Sequence, residues 1–246
     1  MSFKQSLYSQ QSGIACTVLV PEHAPEAKTS AIEELGAKIV RLEHKEWWQI
    51  VSGNKTYDHA EGLGIFIHPV FNKSVIAGNG TIALEVLEDL PNVSSIIVPY
   101  GGGGLASGVG TVVENLKPSV NVITSELDSS PQVYSSLAAG KCMPCDFKST
   151  FCDGIGGFGC LSQTWPMVSK LVKRSILVSL EEVASAVKVL AERNHVIAEG
   201  AGASSVAAAL SSKSMLSGDI LFDFYISSLK TTHPFFFFFL VYFSNS

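Results

Sequence analysis

The order of hydrophobic and polar residues predicts two kinds of segment that alternate along the chain. Short apolar runs rich in β-branched residues are typical of buried parallel strands. They lie at 14–20, 38–42, 65–67, 96–98 and 121–124. Elsewhere, apolar residues recur every three or four positions, which is the helical period. These segments lie at 28–36, 82–90, 181–193 and 204–210. Alternating strands and helices predict an α/β fold with doubly wound, mostly parallel sheets.

One strand, turn and helix contain the clearest candidate site. The apolar run at 96–98 leads to four consecutive glycines, Gly101 to Gly104, and then to a helix-compatible segment at 105–116. Glycines let successive backbone N–H groups approach an anion, and the following helix N-terminus adds a favourable field. The stretch lacks the Lys-Ser/Thr pair of a P-loop and is not a clean dinucleotide fingerprint. It predicts a phosphate-binding loop, and the alternative is a flexible turn.

Composition and charge narrow the class of protein. The chain has 246 residues, 46% hydrophobic and 16% charged, which suits a globular protein of one or two domains. A net charge of -5 and the lack of a Lys/Arg cluster argue against a nucleic-acid partner. The N-terminal residues lack the apolar core of a signal peptide. We therefore expect a cytoplasmic protein without a membrane partner.

Cysteine spacing raises the question of a zinc site. The chain contains five cysteines, and Cys142 and Cys145 have the spacing of half a zinc site. Cys152 and Cys160 are separated by seven residues and do not supply the second half. Free thiols in a reducing compartment are the preferred interpretation.

The C-terminal segment at 223–246 departs from the rest of the pattern. Residues 234–243 are apolar, but this run is too short for a transmembrane helix. Its five consecutive phenylalanines have no period that a helix or strand could use. We expect an aberrant apolar tail, foreign to the fold, that favours aggregation.

Six short motifs follow one another between residues 10 and 220. They lie at 13–21, 35–40, 68–69, 77–81, 101–104 and 199–203. As an ordered set they resemble the pyridoxal-phosphate enzymes of fold type II, specifically the threonine/serine dehydratase and serine racemase group. The resemblance implies a tryptophan synthase β-like architecture, truncated at both ends. Its small domain is expected at 1–66, and its large cofactor-phosphate-binding domain at 67–222.

The resemblance also implies where pyridoxal 5′-phosphate binds. Glu199 is expected to approach the cofactor ring, and the alternative is an acidic residue that favours a helix N-terminus. Asp153-Gly154 resembles a turn beside the family's active site, without a chemical role of its own. The residues expected to bind the cofactor phosphate through backbone N–H groups are Gly101, Gly102, Gly103, Gly104 and Leu105.

A divalent cation, Mg or Ca, is a further implication of the resemblance. Glu126 and Ser130 stand where the family has cation ligands, and hard cations prefer oxygen ligands. Gln132 replaces the expected carboxylate, and one carboxylate makes a poor site. A weakened or absent metal site is therefore favoured over an occupied one.

The activity implied by the resemblance is a lyase that converts L-threonine or L-serine to a 2-oxo acid and ammonia. A small amino-acid substrate and a homodimer are expected. The family's Schiff-base lysine follows Ser-Phe, and Lys4 has this context, but it lies only nine positions before Gly13, closer than the resemblance implies. The catalytic residue is therefore unassigned, with Lys4 as a weak candidate. The alternatives are a serine racemase and a catalytically inactive truncated isoform.

Overall fold

The chain divides into two units between Asn72 and Lys73, a few residues after the expected boundary at 66. The computed structural model describes the backbone of residues 2–55, 65–211, 225–226 and 239–244, and the side chains of residues 6–55 and 65–211. The domain ranges expected from the sequence, 1–66, 67–222 and 223–246, remain predictions. Each unit is described by itself.

The first unit is built around a parallel strand–helix–strand motif. β1 (Thr17–Pro21) pairs in parallel with β2 (Lys38–Leu42), and α2 (Glu26–Glu34) connects them. α1 (Ser2–Ser12) precedes β1, and α3 (His44–Val51) follows β2. The buried core consists of Val18, Val20, Ile32 and Ala37. The two predicted strands and the helix between them are confirmed, whereas α1 and α3 were not predicted.

The second unit contains a five-stranded sheet with the order β5-β4-β3-β7-β6. Its strands are β3 (Val93–Pro99), β4 (Asn121–Leu127), β5 (Val172–Val178), β6 (Tyr225–Ile226) and β7 (Phe239–Ser244). β3, β4 and β5 are parallel, whereas β7 runs antiparallel to both β3 and β6. The expectation of a mostly parallel sheet therefore holds for its first three strands.

Helices cover both faces of this sheet. They are α4 (Lys73–Asp89), α5 (Gly104–Leu116), α6 (Gln132–Ala139), α7 (Trp165–Leu171), α8 (Leu180–Asn194) and α9 (Gly200–Leu210). Ile97 belongs to a core cluster with residues of α8 and α9, whereas Ile96 and Val98 belong to another with α4 and α5. Because successive side chains of a strand point to opposite faces, the clusters lie on opposite sides of β3.

Two predictions about strands are wrong. The run at 65–67 forms no strand. Its three side chains are exposed, and Ile65 is 92% exposed, so they contribute to no sheet core among the described residues. In the C-terminal segment, the described residues 239–244 form β7, although no strand was expected there. β3 is buried on both faces, so backbone groups along its second edge need partners, and β7 supplies them. The other residues of the expected tail lie outside the described part, apart from 225–226.

Candidate functional site

The glycine loop joins the carboxyl end of β3 to the N-terminus of α5. Gly103 caps the helix with a φ of +93°, a conformation that glycine adopts without strain. The N–H group of Ser107 donates to the carbonyl of Gly103 over 2.9 Å, which is the first hydrogen bond of α5. Within the described residues, the backbone N–H groups from Gly101 to Ala106 have no acceptor. These successive donors at a helix N-terminus form an anion cradle.

Two buried hydroxyl groups hold the loop from behind. Thr164 donates its hydroxyl to the carbonyl of Gly102 over 2.9 Å, and the hydroxyl of Tyr100 lies 3.1 Å from Sγ of Cys160. A Cβ at Gly103 would lie 2.9 Å from Oγ1 of Thr164 and 3.0 Å from the Tyr100 hydroxyl. Burial raises the pKa of Tyr100 well above its ordinary value of 10.0, and Cys160 adds to this shift. The phenol is therefore neutral and adds no negative charge beside the cradle.

Gly154 brings Glu199 close to the glycine loop. A Cβ at Gly101 would lie 3.3 Å from the carbonyl oxygen of Gly154. A Cβ at Gly154 would lie 3.4 Å from Oε1 of Glu199 and 2.8 Å from Cβ of Ala201. Gly154 thus separates the loop from Glu199 by the width of one residue. Glu199 is also the N-cap residue of α9, and its side chain makes no capping hydrogen bond. Its approach to a cofactor ring remains a prediction.

The side chain of Glu126 is engaged by neighbouring protein groups. Its Oε1 accepts from the N–H of Val133 over 2.7 Å, and its Oε2 accepts from the N–H of Tyr134 over 2.9 Å. The hydroxyl of Ser175 donates to Oε2 over 2.5 Å. Burial raises the pKa of Glu126, while these three hydrogen bonds lower it. Because Val133 and Tyr134 lie in the first turn of α6, Glu126 stabilises that helix N-terminus.

Ser130 is engaged by protein groups as well, whereas Gln132 is engaged only through its amide nitrogen. Ser130 donates to the carbonyl of Gly157 over 2.8 Å and accepts from its N–H over 3.0 Å. Nε2 of Gln132 donates to the carbonyl of Gly159 over 2.8 Å, whereas its Oε1 is buried without a hydrogen-bond partner among the described residues. Over the described residues, no group of three or more His, Cys, Asp or Glu could hold a metal ion. This set of residues does not fit Mg or Ca, so the cation implied by the resemblance is a poor match to the structure.

The five cysteines are all free of disulfide bonds, whereas the reducing compartment remains a prediction. Cys160 lies beneath the loop against Tyr100, and burial is the main cause that raises its pKa to about 12. Burial likewise raises the pKa of Cys152, whose sulfur lies near Gly200, to about 11. Both are therefore poor nucleophiles at neutral pH, because the thiolate is the reactive form.

Lys4 lies in α1, and its side chain is outside the described residues. Its assignment remains a prediction. Tyr100 and Thr164 were not predicted from the sequence. Tyr100 directly precedes the glycines, which is a signal that could have been used, whereas nothing local connects Thr164 with a loop that lies far before it in the chain.

The chain is thus an α/β protein with an anion cradle between a parallel strand and the following helix. A family model of pyridoxal-phosphate dependent enzymes matches residues 5–223, and the chain belongs to this family. Family and fold class are those that the sequence motifs predicted.

The chain is 38% identical over 205 residues to the L-threonine ammonia-lyase of Thermotoga maritima, a match that covers 83% of this chain and 51% of the relative. The structure of maize serine racemase matches with a TM-score of 0.77 and 31% identity, over 88% of this chain and 65% of that chain. The structure of a T.th. threonine deaminase matches with a TM-score of 0.73 and 26% identity, over 88% and 69%. The chain spans about half the length of the Thermotoga maritima enzyme.

Among the described helices, none combines the length and the apolar character needed to cross a membrane.

Proposed function

We propose that this chain binds pyridoxal 5′-phosphate and acts as a lyase on L-threonine or L-serine. The observation that carries the lyase assignment is the 38% identity over 205 residues to an L-threonine ammonia-lyase. In the proposed reaction, L-threonine loses water and the product then takes up water again, so that the final products are 2-oxobutanoate and ammonia. L-serine gives pyruvate and ammonia in the same way.

The residues of the glycine loop fit the phosphate group of the cofactor. In the described part of the chain, no acceptor binds the N–H groups of Gly101, Gly102, Gly103, Gly104 and Leu105. The positive end of α5 adds to the attraction of a dianion. A Cβ at Gly103 would collide with Thr164 and Tyr100, which explains a glycine at this position.

The described residues of the site contribute to binding, and the proton transfer needs a further residue. When bound, the cofactor supplies a conjugated ring that stabilises negative charge at Cα of the amino acid. The loop N–H groups hold the phosphate, the neutral Tyr100 adds no repulsion, and Glu199 supplies a carboxylate on the far side of Gly154. A base must remove the Cα proton, and Lys4 is the candidate that the sequence offers.

The direct test is a product assay with the purified chain. We expect 2-oxobutanoate and ammonia from L-threonine, or pyruvate and ammonia from L-serine, when pyridoxal 5′-phosphate is present and not when it is omitted. The Lys4→Ala variant should lose this activity if Lys4 is the base, and full activity would exclude it. Cofactor binding without product from either amino acid would contradict the lyase proposal and support the inactive alternative.

A serine racemase is the second candidate, because the maize serine racemase structure matches with a TM-score of 0.77 and 31% identity. A racemase returns a proton to Cα on the opposite face and keeps the hydroxyl group. Incubation with L-serine therefore distinguishes the candidates: D-serine, detected by chiral chromatography, indicates racemisation, and pyruvate indicates the lyase.

The remaining features of the proposal follow from the family resemblance and from composition. We propose a small amino acid as the substrate, a homodimer as the assembly and the cytoplasm as the location, without nucleic-acid or membrane partners. Mg and Ca are not included, because both carboxylate oxygens of Glu126 and the hydroxyl of Ser130 are engaged by protein groups. Sedimentation equilibrium of the purified chain tests the homodimer.

A further inference from the structure

Thr164 uses its hydroxyl in an unusual way for its position. It is the N-cap residue of α7, where a threonine hydroxyl ordinarily accepts a hydrogen bond from an N–H of the first helical turn. Thr164 makes no such capping bond. Its side chain is completely buried, and the hydroxyl lies 2.9 Å from the carbonyl of Gly102 and 3.2 Å from that of Leu161. The residue thus contributes to the glycine loop instead of to its own helix.

The bond from Thr164 sets the direction of one N–H group in the cradle. In a trans peptide the C=O and N–H bonds point in opposite directions, and the structure contains no cis peptide among its described residues. Because the carbonyl of Gly102 points towards Thr164, the N–H of Gly103 points away from Thr164. The next peptide is fixed by α5 itself, since the Gly103 carbonyl accepts from Ser107.

An anchor of this kind matters most in a run of glycines. Glycine peptides reorient easily because no Cβ restricts them. If the peptide between Gly102 and Gly103 turned over, it would present a carbonyl oxygen to the anion in place of an N–H group. Oγ1 of Thr164, the Tyr100 hydroxyl and Cγ2 of Val168 all approach Gly103 from behind, which limits that movement.

We propose that Thr164 is a positioning residue for the cofactor phosphate, which acts by holding the Gly102–Gly103 peptide with its N–H towards the cradle. This inference rests on the proposed binding of pyridoxal 5′-phosphate. It adds a residue outside the loop whose hydroxyl never touches the ligand.

The test compares ligands with and without the phosphate group. Dissociation constants for pyridoxal 5′-phosphate, pyridoxal and inorganic phosphate are measured for the wild-type chain and for Thr164→Val, which keeps the shape of threonine but lacks its hydroxyl. We expect Thr164→Val to weaken binding of the two phosphate ligands about tenfold, the effect of one lost hydrogen bond, and to leave pyridoxal binding within about twofold. Thr164→Ser should restore the wild-type values.

Thr111 offers a matched control. Its hydroxyl donates to the carbonyl of Ser107 over 2.7 Å in the same helix, but its side chain is exposed and lies away from the loop. Thr111→Val should bind all three ligands as the wild type does. Thermal unfolding by circular dichroism checks that each variant is folded, and Thr164→Ala replaces Thr164→Val if the valine variant is not.

The binding results separate a failure of the cofactor proposal from a failure of the role proposed for Thr164. A wild-type chain that binds pyridoxal 5′-phosphate no better than pyridoxal, and does not bind inorganic phosphate, overturns both the cofactor proposal and this inference. A wild-type preference for phosphate ligands that survives in folded Thr164→Val or Thr164→Ala overturns this inference alone. An equal loss of all three ligands also overturns it, because the role of Thr164 would then be structural.

Discussion

Gly108 of α5 packs directly against Gly80 of α4, and neither position has space for a side chain. A Cβ at Gly108 would lie 2.8 Å from the backbone nitrogen of Gly80 and would also overlap the carbonyl oxygen of Ile76. A Cβ at Gly80 would lie 3.1 Å from the carbonyl oxygen of Gly108. The two helices therefore approach each other backbone to backbone, one turn after α5 begins.

This contact predicts opposite effects for two glycine substitutions. Gly108→Ala should lower the free energy of unfolding by about 1–3 kcal/mol, because backbone atoms must move to admit the methyl group. Gly78 also lies in α4, but a Cβ there would meet nothing within 4 Å, so this position is the matched control. Gly78→Ala should raise stability by about 0.5–1 kcal/mol, since alanine favours the helix. Urea unfolding measures both values, and similar stabilities for the two variants would contradict the prediction.

A second prediction concerns Gly103, the residue of the loop with a positive φ. Gly103→Ala places a methyl group against Thr164 and Tyr100 at a φ of +93°, so the loop must change shape. We expect affinity for pyridoxal 5′-phosphate to fall at least about tenfold, the equivalent of one lost hydrogen bond or more. The measurement is cofactor titration followed by absorbance.

Gly140→Ala is the control for the loop variant. Gly140 ends α6 with a φ of +67°, and a Cβ there would meet nothing within 4 Å. This substitution should lower stability by about 1–2 kcal/mol through backbone strain alone and leave cofactor affinity unchanged. A loss of affinity in both variants would show that strain in general, and not the loop, controls binding.

The engagement of Glu126 predicts that divalent cations do not stabilise the chain. Added Mg or Ca, or removal of metals with EDTA, should leave the thermal midpoint unchanged. Ser175→Ala removes one donor to Glu126 and should lower the free energy of unfolding by about 1.5–3 kcal/mol, the range for hydrogen bonds to charged groups. Ser162→Ala, at an exposed serine, is the control. A midpoint that rises on addition of either cation would instead indicate a metal site.

His68 predicts a loss of stability in mild acid. Its Nδ1 accepts from the N–H groups of Val70 and Phe71, over 3.1 and 3.2 Å. Burial lowers the pKa of His68 below its ordinary value of 6.5, although the backbone carbonyls of Ile50 and Val51 favour the protonated ring. As the pH falls through 6.5, the unfolded chain therefore takes up a proton that the folded chain does not. This difference in bound protons makes unfolding more favourable as the pH falls.

The variant His68→Asn isolates this effect, because asparagine keeps an acceptor for the two N–H groups but does not titrate. Between about pH 7.5 and about pH 5.5, the wild type should lose more stability in urea unfolding than His68→Asn does. Parallel pH dependence in the two proteins would assign the acid sensitivity to other groups.

Local patterns were sufficient where neighbours in sequence are also neighbours in space. The second strand of the first unit was predicted with its observed bounds, Lys38–Leu42. A preceding glycine marks its start, and the end of the short apolar run marks its end. The glycine loop was located correctly for the same reason, since strand, loop and helix follow each other directly. The helix at 204–210 was also found, although α9 begins earlier, at Gly200.

Long-range contacts explain what the patterns missed. The apolar period predicted a helix only at 82–90, whereas α4 begins at Lys73, and its Gly80 packs closely against Gly108 of α5. Glu126 has the residue type of a cation ligand, but a helix N-terminus that its own sequence does not reveal occupies its oxygens. The hydrogen bond from Thr164 to Gly102 joins residues far apart in sequence, so it is visible only in the folded chain.

The antiparallel pairing of β7 with β3 has a consequence for the order of folding. β3, the glycine loop, α5 and β4 come from one continuous stretch, Val93 to Leu127, and contacts within it close short loops of chain. β7 reaches β3 only after the whole intervening chain has been made, and such closure carries a larger entropic cost. During synthesis the anion cradle can therefore assemble while one edge of β3 is still unpaired. A chaperone that shields this edge would protect the nascent chain at the stage when it is most prone to aggregate.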